Sequence, residues 1–157
     1  MSPKLSDFIG VEDVFFDLLS TTKQEVLQEI AQYAFSRGFT TDAEKLLKEL
    51  DRREDLLSTG IGDGVAIPHA RVPDIKCPVA AFLKLARPID FAAVDGAPVN
   101  LVFGLISPEQ SGVSHLHALA AISRLMRDES VQASLIAARR EDELFGLLSN
   151  VIDRNAA

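Results

Sequence analysis

Apolar residues recur at helical spacing in the first third of the chain. Thr22 and Glu25 have the spacing of an N-terminal capping box, and apolar side chains then follow every three or four positions until Gly38, a residue typical of helix ends. The same signals return a few residues later. The pattern therefore predicts one helix over residues 22–38. A second capping box, Thr41 with Glu44, predicts the start of another helix, which ends near Arg53.

Short β-like runs replace the helical pattern after residue 53. They are rich in β-branched residues and are separated by turns of Gly, Pro and Asp, as strands of one sheet are. An earlier run, Glu12–Leu18, contains good strand formers and fits either a strand or part of a helix. The predicted strands are Leu56–Thr59, Val65–Ile67, Val79–Leu85 and Val99–Ile106.

Helical spacing returns in the last quarter of the chain. Because helices precede and follow the strands, the order of elements indicates an α/β sandwich, and ordinary globular composition over 157 residues indicates a single domain, residues 1–157. The predicted C-terminal helices are Ser114–Arg127, Asp128–Ala138 and Glu141–Asn150.

Charge and composition exclude several classes of function. The chain has 16 basic and 23 acidic side chains, a net charge of −7, and its basic residues are not clustered, which disfavours nucleic acid as a ligand. The excess of acidic over basic side chains fits a solubilising surface and also fits docking onto a basic protein. With no apolar run near the roughly 18 residues of a membrane helix, no secretory signal and a lone Cys77, we expect a cytoplasmic protein.

Three alternating glycines, Gly60, Gly62 and Gly64, suggest a phosphate-binding loop, but the surrounding residues do not fit one. A dinucleotide fingerprint needs its third glycine at position 65, which is Val65, and a helix afterwards, which Pro68 disfavours. No Gly-Lys-Ser/Thr follows, so a P-loop is also excluded. We expect a tight connection between two strands and no nucleotide cofactor.

The three histidines are the candidates for chemistry. His115 and His117 diverge by roughly 200° on a helix, and no Cys accompanies them, so we expect no metal. Helical projection turns His115 inward and His117 outward. With Ser114 as N-cap, His115 would lie in the first helical turn, where a neutral imidazole beside an anion is favoured; a buried histidine satisfied by one hydrogen bond is the alternative.

His69 directly follows Pro68 at the end of a predicted strand. This is how an exposed nucleophile is displayed, and an imidazole with a pKa near ~6.5 is largely neutral at cellular pH. A loop histidine without a role is the alternative. Other nucleophiles fit less well: Leu116 replaces the last glycine of a Gly-x-Ser-x-Gly elbow, Cys77 has no evident base, and a hydrolase pairing of Asp63 with His69 has no defined geometry.

Six short segments resemble the mannitol/fructose class of enzyme IIA in the bacterial phosphoenolpyruvate-dependent phosphotransferase system. The similarity covers about residues 11–150, its core, and is greatest to the nitrogen-regulatory branch. Asp55 departs from the pattern, because relatives are expected to carry a basic residue there. The segments are Arg53–Glu54, Ser58–Gly62, Val65–His69, Pro88–Phe91, Asp95–Val99 and Ser114–His117.

The resemblance implies a mixed β-sheet sandwiched by helices, with the site at one edge of the sheet. It places the phosphorylated histidine at His69, a second active-site histidine at His115 and an active-site arginine at Arg53. It implies a phosphoryl donor, the histidine phosphocarrier protein, and no cofactor. The phosphoryl group then either regulates partners, such as potassium transport or sensor-kinase components, or passes to a separate enzyme IIB for sugar transport.

Overall fold

Two helices form the first layer of the fold. The computed structural model describes residues 9–155, with side chains to residue 149. Helix α1 (Lys23–Ser36) begins after Thr22, whose hydroxyl accepts a hydrogen bond from the Glu25 amide, as predicted. Helix α2 (Ala43–Leu56) has a different cap from the one predicted. The Asp42 carboxylate accepts from the Lys45 amide at 3.0 Å, so the Thr41 box is wrong and the helix begins one residue later.

The predicted strand Leu56–Thr59 is also wrong. Helix α2 continues to Leu56, and the strand β2 (Gly60–Gly62) begins only after an irregular segment. The apolar side chains that suggested a strand are 78% and 63% exposed at Leu56 and Leu57. The Glu54 carboxylate accepts the amide of Thr59, so this backbone group is satisfied by a side chain rather than by a neighbouring strand.

One six-stranded mixed sheet lies at the centre of the fold. Besides β2, its strands are β1 (Val14–Leu18), β3 (Val65–Ala66), β4 (His69–Val72), β5 (Val79–Ile89) and β6 (Val99–Pro108). The run Glu12–Leu18, which fitted either a strand or a helix, thus contains a strand. Strand β6 pairs with β5 antiparallel on one side and with both β3 and β4 parallel on the other, while β1 pairs with β5 parallel and β2 with β3 antiparallel.

Helices cover both faces of the sheet, which confirms the sandwich. One core joins α1 and α2 to one face, and the other joins the three C-terminal helices to the opposite face. Within residues 9–155 no helix is long and apolar enough to span a lipid bilayer. The C-terminal helices are α3 (Val113–Met126), α4 (Glu129–Ala137) and α5 (Glu141–Asn155), and the last of these extends five residues beyond its predicted end.

Candidate active site

An interruption in one strand presents His69. Strands β3 and β4 follow one another along the same side of β6, and the chain leaves that line only at Ile67 and Pro68. The Ile67 amide donates to the Thr59 carbonyl at 3.0 Å, and the Pro68 carbonyl accepts from the Leu105 amide at 2.9 Å. His69 is therefore the first residue of β4, held from both sides by backbone hydrogen bonds. It is half-buried rather than exposed as predicted.

The glycine segment forms the tight strand connection that the sequence predicts. Strands β2 and β3 are joined through Asp63 and Gly64, both of which have positive φ. The Asp95 carboxylate accepts the Asp63 amide at 3.0 Å and fixes this turn. A Cβ on Gly60 would lie 2.7 Å from the Cβ of Ala93, so glycine is needed there for packing. No hydrogen bond joins Asp63 to His69 in the described part of the chain.

Hydrogen bonds determine which nitrogen of His69 carries the proton. Its Nδ1 lies 2.8 Å from the carbonyl oxygen of Ile67. Because a carbonyl only accepts, Nδ1 must carry the hydrogen, and the neutral ring then has its lone pair on Nε2. Arg53 Nε donates to this Nε2 at 3.2 Å. The nucleophilic nitrogen of His69 thus lies beside a guanidinium.

The pKa of His69 is lowered from its ordinary value. Burial is the largest cause, and the positive charges of Arg53 and Arg71 act in the same direction, while the bond to the Ile67 carbonyl and the charge of Glu54 oppose them. The ring is therefore neutral at cellular pH. Its lone pair is available without a general base.

Arg53 is held in place by the last turn of α2. Its Nη1 donates to the Leu57 carbonyl at 2.7 Å, so the side chain is anchored at the C-terminal end of its own helix while its Nε contacts His69. The neighbouring Glu54 carboxylate is buried, pairs with Lys23 Nζ at 2.7 Å and accepts from Thr59. These bonds tie the end of α2 to the start of α1 and to the segment that leads into β2. They fix the backbone from which Arg53 extends.

His115 extends from α3 beside His69. The two ring centroids are 5.3 Å apart, and His115 is only 5% exposed, whereas His117 is exposed, which confirms the helical projection. The predicted N-cap is wrong, because Gly112 caps α3 and Ser114 donates its hydroxyl to the Ser111 carbonyl instead. His115 is still in the first turn.

The pKa of His115 is lowered to about 4. Burial is the largest cause, followed by the neighbouring His69 and Arg71. The neutral imidazole expected from the sequence agrees with this lowered pKa, but burial, not the helix terminus, is its main cause. A neutral His115 can donate a hydrogen bond from one nitrogen and accept at the other.

This shift predicts a pH-dependent stability. The unfolded chain, with a histidine pKa near ~6.5, binds a proton before folded His115 does, so the contribution is complete above that pH and is lost as pH falls towards about 4. Between about pH 8 and about pH 5 we expect His115 to account for about 2 kcal/mol of lost stability. Urea unfolding of wild type and His115→Gln at both pH values measures the difference. Equal losses in the two proteins would contradict it, and His117→Gln is the control.

The structure brings together all three residues that the resemblance selected. Arg53 contacts His69 directly, and the His115 ring lies next to it. Two partners of the histidines are not predicted from the sequence: the Ile67 carbonyl, and Ser107, whose Oγ lies 2.6 Å from His115 Nδ1. A backbone carbonyl has no sequence signal. Ser107 has only a weak sequence signal, namely that it is a polar residue at the end of an apolar strand.

The chain matches the family described as "Phosphoenolpyruvate-dependent sugar phosphotransferase system, EIIA 2" over residues 7–151. It is 39% identical to a nitrogen regulatory protein of Bradyrhizobium diazoefficiens, over 92% of this chain and 94% of that one. It is 33% identical to a fructose-specific phosphotransferase EIIA component of Haloferax volcanii, over 95% and 97% of the two chains.

The fold is similar to a solved structure from the same group of proteins. The crystal structure of nitrogen regulatory protein IIA-Ntr from Neisseria meningitidis superimposes with a TM-score of 0.85 at 29% identity, over 92% of this chain and 98% of that one. Family, relatives and fold agree with the resemblance seen in the sequence, including the nitrogen-regulatory branch. The chain belongs to the EIIA 2 family of the phosphoenolpyruvate-dependent sugar phosphotransferase system.

Proposed function

We propose that His69 Nε2 accepts a phosphoryl group from the phosphohistidine of a histidine phosphocarrier protein, and that the phosphorylation state of His69 regulates partner proteins. One observation carries this proposal. The Ile67 carbonyl holds the proton of His69 on Nδ1 and leaves the Nε2 lone pair beside the Arg53 guanidinium. A bare nitrogen next to a fixed cation suits attack on a dianionic phosphoryl group.

The bonds and protons of the transfer balance without a general base or a metal. The phosphorus–nitrogen bond of the donor breaks as a bond from phosphorus to His69 Nε2 forms, and each imidazole keeps its own N–H. Catalysis then consists of alignment and charge neutralisation. Arg53 pairs with the phosphoryl oxygens, and His115 with the N-terminus of α3 donates further hydrogen bonds to them.

Exposed apolar side chains support docking of a protein donor. Leu56 and Leu57 follow Arg53 in the chain and are 78% and 63% exposed, and Val113 and Leu116 flank His115 and are 65% and 59% exposed. Large apolar groups left in water beside a reactive residue favour covering by a partner, which also excludes water from the transfer.

The proposed acceptance step is tested by reconstitution. The purified chain is incubated with phosphoenolpyruvate, enzyme I and the histidine phosphocarrier protein, and phosphate is located by mass spectrometry under alkaline conditions that preserve phosphohistidine. We expect one phosphate, on His69, only when the phosphocarrier is present. Labelling of another residue, or none, would refute the proposal.

Regulation is favoured over sugar transport by the similarity to a nitrogen regulatory protein, which at 39% identity exceeds the 33% to a fructose-specific EIIA component. In the second candidate function the group passes to a separate enzyme IIB. Phosphorylated chain mixed with purified sugar-specific IIB proteins separates the two. Regulation predicts retention of phosphate on His69 and phosphate-dependent capture of potassium transport or sensor-kinase components, whereas rapid transfer to a IIB supports transport.

A further inference from the structure

Ser107 is a buried polar residue that the proposed transfer does not yet use. It follows the apolar stretch of β6, is 0% exposed, and pairs in register with Arg71 of β4. Its Oγ lies 2.6 Å from Nδ1 of His115. A hydroxyl enclosed in this way must find its hydrogen-bond partner inside the protein, because leaving it unpaired is costly.

Only one direction of this hydrogen bond satisfies both the hydroxyl and Nδ1. If His115 Nδ1 carries the hydrogen, it donates to the hydroxyl, and the hydroxyl hydrogen needs another acceptor. Within residues 9–149 Ser107 Oγ makes no second hydrogen bond. If Nδ1 is bare, the hydroxyl donates to it and both groups are satisfied, so this arrangement is preferred and the proton of the neutral ring lies on Nε2.

We propose that Ser107 is a positioning residue that holds His115 with its proton on Nε2, so that His115 donates a hydrogen bond to the phosphoryl group on His69. The inference deepens the proposed function and its kinetic part rests on it. It assigns Ser107 no contact with the phosphoryl group. Ser107 acts only through the imidazole.

The two histidines then have opposite and complementary tautomers. The Ile67 carbonyl keeps the proton of His69 on Nδ1 and leaves Nε2 bare, while the Ser107 hydroxyl keeps His115 Nδ1 bare and its Nε2 protonated. One ring offers a lone pair and the other offers a hydrogen. The opposite tautomer of His115 would turn a lone pair towards the phosphoryl oxygens and repel them. Because burial keeps His115 neutral, the tautomer decides which of these occurs.

The tautomer is measured directly in the unphosphorylated wild-type protein. Two-bond ¹H–¹⁵N spectra of protein labelled at its histidines distinguish a bare ring nitrogen from an N–H nitrogen. We expect His115 to show a bare Nδ1 and a protonated Nε2. A protonated Nδ1 in His115 would overturn the inference, and this measurement requires no variant and no phosphorylation.

Ser107→Ala removes the donor with almost no change in volume. We expect His115 to populate both tautomers. The rate of phosphorylation of His69 should fall about fivefold, which corresponds to the loss of one ordinary hydrogen bond in the transition state. Ser111→Ala is the matched control, since the Ser111 hydroxyl is buried without a hydrogen bond among the described residues. An unchanged tautomer, or a changed tautomer with an unchanged rate, contradicts the positioning role.

The outcomes also separate this inference from the proposed function. If wild type is labelled at His69 and Ser107→Ala is labelled equally fast, the role of Ser107 fails while the function stands. If wild type is not labelled at all, the proposed function fails, and the tautomer measurement still decides whether Ser107 sets the proton of His115.

Discussion

His69→Gln should abolish phosphorylation by the phosphocarrier. Glutamine replaces the imidazole with a neutral polar amide of similar length, whose nitrogen lone pair is delocalised into the carbonyl and is not nucleophilic. The fold should therefore persist while the acceptor is lost. The measurement is incorporation of phosphate from phosphoenolpyruvate through enzyme I and the phosphocarrier, quantified per chain by intact-mass spectrometry.

His117→Gln provides the matched control for this experiment. His117 lies on the exposed face of α3, two residues from His115, so the same substitution there should leave incorporation at wild-type levels. Full incorporation into His69→Gln would reject His69 as the acceptor and would redirect attention to His115. Thermal unfolding of both variants establishes that the comparison is made between folded proteins.

Arg53→Gln should slow phosphorylation of His69 on the order of a hundredfold without removing the acceptor. Within residues 9–149 the Arg53 guanidinium is the one cation in contact with His69 Nε2, at 3.2 Å, and a charge-assisted hydrogen bond to a phosphoryl oxygen is worth more than a neutral one. Glutamine keeps a donor but loses the charge. Arg53→Lys should lie between the two, because lysine restores the charge without the planar fork.

Arg52→Gln is the matched control for Arg53. It is the preceding residue of the same helix, its side chain is 74% exposed, and it pairs with Glu49 at 3.5 Å rather than with His69. Single-turnover rates measured by rapid quench should distinguish the two variants. If Arg52→Gln and Arg53→Gln slow the transfer equally, the effect is one of overall charge in docking, and the specific role of Arg53 is wrong.

Most helices were predictable because their signals are local. Hydrophobic spacing and the Thr22 cap located α1, and the same spacing turned His115 inward and His117 outward, as the structure confirms. The errors came where a side chain satisfied the backbone in a way that spacing does not reveal. Asp42 capped α2 in place of Thr41, and Glu54 bound the Thr59 amide where a strand was predicted.

The candidate site was predictable as a set of residues but not as an arrangement. Resemblance selected Arg53, His69 and His115, and periodicity independently supported His115. Nothing local indicates that strand β3 resumes as β4 after Pro68, because that continuity is created by pairing with β6. The exposure of His69 was overestimated for the same reason, since β6 and the end of α2 enclose it only in the folded chain.

The sequence by itself determined the helical layers and the strand-connecting role of the glycines, because each depends on residues within a few positions of one another. Only the tertiary structure brings each imidazole to the group that we propose sets its proton. Arg53 lies 16 residues before His69, and Ser107 lies 8 residues before His115 on a different element. A tautomer is set by the donor or acceptor that folding brings within about 3 Å, and that distance is not encoded in spacing along the chain.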